Sequence, residues 1–349
     1  MKNNKKVLIV GTSQNTRGGI TSVIKSHMLG SHWENYQCYH IETHIDKSNI
    51  HKLFYFINGF TTFLKKVNNY QLIHIHLSEP VSAIRKLPFF VISKLLNKKT
   101  VLHFHSFSPE TSLQSNFKWL YQYYFQNSNN TIAISNYWKN EINKLGIQPN
   151  KVTVIYNPSP EVNLISSEKE KYILFAGTLN KRKGYSDLIH AFGKIAKNHL
   201  DWKLILAGNG EVENAKHLIN KLNIKNQAEL VGWIADEKKH QIFQKASVFC
   251  LPSYAEGFPM AVLDAWAFGI PVICTPVGGL PDIVEEGENA LMFQCGDIDK
   301  LSEQLEKLIK NDNLRKSISS KSKSLSSTIF NFKSINKQVE VLYKSLLYS

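Results

Sequence analysis

The chain has 349 residues, 43% of them apolar and 11% aromatic, enough for two domains with cores of their own. No apolar segment approaches the roughly 18 residues that a membrane-crossing helix needs. Cys38, Cys250, Cys274 and Cys295 show no C-x-x-C pairing, which excludes a disulfide framework and points to reduced cysteines in the cytoplasm.

The charge is uneven: of a net +14, residues 1–165 carry 18 Lys+Arg against 7 Asp+Glu. A basic first half suits a membrane surface, a lipid-linked phosphate or nucleic acid, and a lysine-rich composition explains it equally well. At the start, a basic head leads into VLIV, too short for the core of a signal peptide, and reads as a first buried strand. Apolar, β-branched runs then recur at 6–11, 71–77, 100–106, 130–135 and 151–156, and again at 171–177, 202–208, 228–233, 246–252 and 270–275. Runs of this kind, without alternation, are strands covered on both faces. Helical stretches lie between most of them, so each series predicts a doubly wound parallel sheet. The series break near residues 157–169, in NPSPEVNLISSEKEK, where turn residues and charge show no period. The expected division is 1–160, 161–329 and a last helix over 330–349 with Phe332, Ile335, Val339, Val341, Leu342 and Leu346 at apolar spacing. Only the Lys/Ser-rich patch 316–327 suggests disorder.

Along the first half, Gly18 and Gly19 precede a helix and let backbone N–H groups approach a phosphate, but without G-x-G-x-x-G a plain turn fits as well. Segments 51–70 and 83–99 mix aromatics with lysines; they fit an anionic bilayer or two ordinary amphipathic helices. His74 and His76 alternate in one strand, His103 and His105 in the next, each pair on one face. H-x-H invites a metal reading, yet no carboxylate or cysteine stands at ligand spacing, and no metal is expected. Ser135, in SNYWKNEINKLGI, fits a helix cap.

In the second half, Arg182 and Lys183 stand in the turn NKRKG, which alone reads as a solvated basic loop. LILAGNGE (204–211) and LVGWIADEKK (230–239) end two strands in turns, with Trp233 a candidate core aromatic. The most informative stretch runs from Leu251 to Val284, LPSYAEGFPMAVLDAWAFGIPVICTPVGGLPDIV. It sets Glu256 in a Gly-Pro turn at the mouth of a helix opening with Pro259, and Asp264 eight positions on. The first turn of such a helix attracts an anion. Glu256 is a poor phosphate ligand and a good acceptor for hydroxyls beside one, and a sugar nucleotide carries both groups.

This stretch resembles the donor-site segment of the retaining glycosyltransferases of family 4, with their E-x7-E motif followed by G-x-P-V-I and G-G-x-P-E. FAGTLNKRKG resembles their G-R-L-x-x-x-K-G, with Thr178 at the arginine position and Arg182 able to supply the missing charge. The resemblance implies a GT-B fold, two Rossmann-like α/β domains facing across a cleft, the first binding acceptor and the second donor. It implies catalytic roles for His105, Glu256 and Lys183. Gly18, Gly19, Arg182, Gly208, Ile234, Gly257, Phe258, Pro259, Met260 and Asp264 join Glu256 at the donor, and Asn157 and Ser135 resemble residues lining the cleft. The helix 330–349 is expected to cross back to the first domain. Asp264 is a methylene shorter than the usual Glu, which bears on affinity or nucleotide preference.

The implied activity is retaining, metal-independent hexosyl or N-acetylhexosaminyl transfer, with no cofactor beyond the nucleotide-sugar co-substrate. UDP is favoured over GDP. The acceptor is a glycan or polyprenyl-diphosphate-linked glycan of capsule, O-antigen or exopolysaccharide synthesis. The expected place is the cytoplasm, against the inner face of the membrane, with no nucleic acid. The alternative is a non-catalytic partner of a true transferase; the departures at Thr178 and Asp264 favour it and the intact Glu256, Lys183 and His105 oppose it.

Overall fold

A computed structural model describes residues 5–162 and 168–348. The chain divides into two compact units, one running up to Pro158 and taking in the last helix, the other Ser159–Asn331. The expected break in strand pattern, 157–169, falls beside this division, and part of it, 163–167, lies outside the described residues.

The first unit holds β1 (Val7–Gly11), α1 (Gly19–Met28), α2 (Ser31–Asn35), β2 (Tyr39–Glu42), α3 (Asn49–Lys66), β3 (Leu72–Leu77), α4 (Pro80–Leu95), β4 (Lys99–Phe104), α5 (Lys118–Asn127), β5 (Asn130–Ala133), α6 (Asn136–Asn143) and β6 (Val152–Val154). Its strands form one parallel sheet in the order β2-β1-β3-β4-β5-β6. The second unit continues with β7 (Glu170–Ala176), α7 (Tyr185–Ile195), β8 (Lys203–Ala207), α8 (Val212–Lys221), β9 (Ala228–Leu230), α9 (Asp236–Lys245), β10 (Ala246–Leu251), α10 (Met260–Ala267), β11 (Val272–Cys274), β12 (Leu291–Met292), α11 (Ile298–Lys310) and α12 (Asp312–Ser327). Its sheet, also parallel, runs β12-β11-β10-β7-β8-β9. The strands β1, β3 and β10 are buried at every position, as sheets covered by helices on both faces require. Two doubly wound sheets were expected, and two are present.

Three elements differ from expectation. β2 and β12 were not among the expected strands: β2 is an edge strand with one fully buried residue, Ile41, and β12 has two residues, within the short apolar stretch 290–293. The Lys/Ser-rich patch is not disordered but forms all of α12 after its first four residues, where Ile318, Ser322 and Ser326 are buried and Ser319 Oγ donates to Gly269 O. Serines let this helix approach closely, so its polarity misled the composition argument. The final helix, α13 (Phe332–Leu347), buries Ile335, Val339, Leu342 and Tyr343 in one core with Val7, Ile9, Leu72, Val101 and Ile132 of the first sheet. Val341, assigned to its apolar face, is 57% exposed.

In each sheet the strand order reverses once, between β1 and β3 and between β7 and β10. At such a point the loops leaving adjacent strands diverge, and ligands of open α/β sheets bind at the carboxyl ends there. In the second unit these are the loops holding Lys183 and Glu256.

Candidate active site

The loop leaving β7 is zipped to the one leaving β8. Gly177 N donates to Ala207 O at 3.0 Å, Leu179 N to Asn209 O at 2.7 Å and Glu211 N to Leu179 O at 2.8 Å. A side chain at Gly208 would put Cβ 1.9 Å from Gly177 O, so the zip demands glycine and gives Gly208 a backbone role. A short 3-10 turn, Lys181–Lys183, follows, capped by Asn180 Oδ1, which accepts from Lys183 N at 3.0 Å. It ends at Gly184, which is left-handed at φ 65° and so close to the next loop that a Cβ would meet Pro252 O at 1.9 Å.

That contact brings the loop leaving β10 alongside. Lys183 Nζ lies 2.5 Å from Glu256 Oε1, Ser253 Oγ donates to the same oxygen at 2.6 Å, and Arg182 Nη1 lies 3.6 Å from Oε2. Arg182 Nη1 also donates to Ala255 O at 2.7 Å, and Tyr254 N to Arg182 O at 2.7 Å. Glu256 is 5% exposed. Burial pushes its carboxyl up, but Lys183 and Arg182 outweigh this and hold it below the usual carboxylate range. Two cations against one anion leave the cluster a surplus positive charge. Arg182 thus supplies a charge beside Lys183 despite Thr178.

Behind Glu256, Gly279 N donates to Gly257 O at 2.8 Å, and Gly278, at φ 59°, would place a Cβ 1.9 Å from Glu256 O. The Gly-Gly pair is therefore the backbone support of the acidic loop. Pro259 stands one position before the helix, as its cap, rather than in the first turn. Its carbonyl accepts from Val262 N at 3.1 Å, so the amides of Met260 and Ala261 precede the first helical bond. Phe258 is buried with its ring 5.3 Å from that of Phe330, which leaves only its backbone for a ligand.

Asp264 is in α10, 6% exposed, with Oδ2 2.7 Å from Lys239 Nζ of α9. Each motif carboxylate thus has its own cation. Ile234 is buried, whereas Trp233 is 36% exposed, which rules out a core role. Ser253 and Lys239 were missed from sequence: one serine after a strand, or one lysine in the exposed run DEKK, carries no distinguishing signal.

The first unit presents a separate constellation. Gly18 caps α1 at φ 142°, and Gly19 is the first residue of that helix. Ser135 caps α6, its Oγ accepting from Trp138 N at 3.2 Å, and Asn157 is buried. His74, His76 and His103 are each 1% exposed, and His105 follows β4 half-buried. His74 Nδ1 meets Tyr343 OH at 2.5 Å, His27 Nδ1 meets Asn336 Oδ1 at 2.9 Å, and His76 Nδ1 meets His105 Nε2 at 3.0 Å. Burial lowers all of them, with His27 at about 4, His105 at about 3, and His74, His76 and His103 well below the ordinary value.

Donor nitrogens of His74, His76 and His103 lie within 4.8 Å of one another. Their rings, however, stack at 10° to 26° between planes. Lone pairs in parallel ring planes do not converge on one point. This donor set does not fit a cation.

Two family models match the chain: "Glycosyltransferase Family 4" over residues 25–159 and "Glycosyl transferases group 1" over 161–325. A glycosyltransferase of Methanocaldococcus jannaschii, MJ1178, is 30% identical over 260 residues, 73% of this chain and 70% of that one. The chain belongs to the family 4 glycosyltransferases.

Among other relatives of this glycosyltransferase, an uncharacterized glycosyltransferase of Haemophilus influenzae is 32% identical over 183 residues, and the match spans about half of each chain, 51%. The capsular polysaccharide biosynthesis glycosyltransferase CapM of Staphylococcus aureus is 29% identical, over 62% of this chain and 61% of that one. The fold is GT-B: the structure of Anabaena HepE in complex with UDP-glucose superposes with a TM-score of 0.81 at 19% identity, covering 98% of this chain and 100% of that one.

Proposed function

We propose that this glycosyltransferase moves a hexosyl or N-acetylhexosaminyl group from a UDP-sugar to a glycan or polyprenyl-diphosphate-linked acceptor in bacterial surface polysaccharide synthesis, with retention at the anomeric carbon. The observation that carries it is the surplus-positive group of Arg182, Lys183 and Glu256 at the reversal point of the second sheet. A departing nucleoside diphosphate gains negative charge as the glycosidic bond breaks, and fixed cations stabilise that charge most where it develops. In this reading Lys183 and Arg182 turn from Glu256 to the diphosphate, and the carboxylate freed by the exchange accepts sugar hydroxyls. Asp264 takes ribose hydroxyls, and the amides at Gly257–Met260 take the remaining oxygens. Cations in place support a reaction without a bound metal. In this reading Glu256, still bonded to Ser253, is occupied by sugar hydroxyls and serves no nucleophilic role, so transfer on the same face proceeds without a glycosyl-enzyme.

HepE with UDP-glucose supports the nucleotide, and CapM supports the setting. On the acceptor side, α3 and α4 contain no acidic residue, yet α3 exposes Ile50, Leu53, Phe54 and Ile57. This face supports contact with an anionic bilayer that carries the acceptor. No described helix is long and apolar enough to cross a membrane. The test is proton NMR of protein with UDP-glucose, UDP-N-acetylglucosamine and lipid-linked acceptor: a product with the donor's anomeric configuration supports the reading, and inversion refutes it.

A further inference from the structure

We propose that His76 is a positioning residue for His105, deciding which His105 ring nitrogen carries the hydrogen. The inference rests on the reading that His105 meets a substrate. His76 Nδ1 and His105 Nε2 are 3.0 Å apart, with the ring planes only 13° from parallel and the centroids 5.2 Å apart. With the nitrogens so close and the centroids so far apart, the rings meet edge to edge, and the bond runs along the in-plane lone-pair direction. His103 covers the face of His105, with centroids 4.1 Å apart, and His105 N donates to Leu77 O at 2.8 Å. The His105 ring is thus held by an edge and a face.

Neither imidazole is charged at neutral pH. Burial is the main cause for both; His74, His103, His105 and His27 add to it at His76, and Lys86 and His27 at His105. Lys86 is tied to β3 and to its own helix, its Nζ donating to His76 O and to Ser82 Oγ, the latter at 2.8 Å.

Two neutral imidazoles that share one hydrogen bond must take opposite parts, because each has one N–H and one lone pair. When His76 carries its hydrogen on Nδ1, His105 Nε2 accepts, and His105 Nδ1 is an N–H donor toward a substrate. When His76 carries it on Nε2, His105 Nε2 donates and its Nδ1 is a bare acceptor. His76 makes this choice without touching the substrate itself.

The test uses the full chain with 15N-labelled histidine and two-bond proton–nitrogen spectra, His105 being assigned by its loss in His105→Asn. Wild type should show a single His105 tautomer and the same one on His76, both Nδ1–H or both Nε2–H, because the bond joins Nδ1 of one ring to Nε2 of the other. His76→Asn keeps a polar group near the Nδ1 position and should retain one His105 tautomer. His76→Phe should give a mixture. His76→Asp should fix the hydrogen on His105 Nε2 and raise its titration, adding a new limb to the pH profile of UDP release from UDP-sugar while leaving the Kd for UDP within about twofold. A mixed tautomer in wild type overturns the proposal, as does a His105 spectrum unmoved by the Phe and Asp variants when both melt cooperatively. Should the Phe variant not fold, the Asn and Asp pair decides alone. Failure of UDP to bind wild type would refute the proposed donor while leaving the tautomer result standing.

Discussion

Gly184 shows how one residue holds the candidate site together. Its left-handed backbone and its contact with Pro252 O each exclude a side chain, and between them they press the Lys183 turn onto the Glu256 loop. Gly184→Ala should cost on the order of 1–3 kcal/mol for the backbone conformation alone. Because the clash also separates the loops, the variant should bind UDP more weakly than its loss in Tm implies; melting and calorimetry on the same preparation check this. Glycine and lysine side by side were legible in the sequence as a motif, since the turn and its charge are local. Ser253 and Lys239 were not, because their value comes from meeting Glu256 and Asp264 across the fold.

At the scale of elements, the buried strands were readable because a parallel sheet leaves continuous apolar runs. β2 escaped for the converse reason: as an edge strand it shows the exposed and half-buried residues Tyr39, His40 and Glu42 around a single buried Ile41. The histidine pairs were legible as alternation on two strands, but their stacking depends on the register that sets His76 beside His103. For α3, the sequence left both a bilayer-facing helix and an ordinary amphipathic helix open. Packing separates its faces: Gly59 and Phe63 are buried, while Leu53 and Phe54 are 59% and 64% exposed. The protein should co-sediment with phosphatidylglycerol vesicles and not with phosphatidylcholine vesicles, and the association should weaken as salt screens the lysines. The double variant Leu53→Gln, Phe54→Gln should lose most of it. Equal binding to both vesicles, or none to either, would remove the bilayer from the account.

For the molecule as a whole, the two units should respond differently to acid. The first buries His27 at about 4, His32 at about 3, His40 at about 4 and His105 at about 3, beside His74, His76 and His103. Each folded value lies below the unfolded one, near 6.5, so the unfolded chain takes up protons first. The contribution is complete above about pH 6.5 and is lost as pH falls from there toward the folded values. One histidine held at about 4 costs on the order of 2 kcal/mol by pH 5, and several together reach the whole stability of a domain. Glu256 acts lower: its depressed carboxyl contributes at neutral pH and is lost only as pH falls through the carboxylate range. Calorimetric melts should therefore show the first unit unfolding separately near pH 5 and the second persisting; one pH-independent transition would contradict this.

The Arg182–Lys183–Glu256 group is proposed to bind a sugar nucleotide. Isothermal titration of UDP and of UDP-sugars into wild type, Lys183→Ala and Glu256→Ala tests it most directly. Wild type should bind a UDP-sugar more tightly than UDP, Lys183→Ala should weaken both by at least about tenfold, roughly 1.4 kcal/mol, and Glu256→Ala should lose the added affinity for the sugar while still binding UDP. Binding of every ligand unchanged in both variants would contradict it.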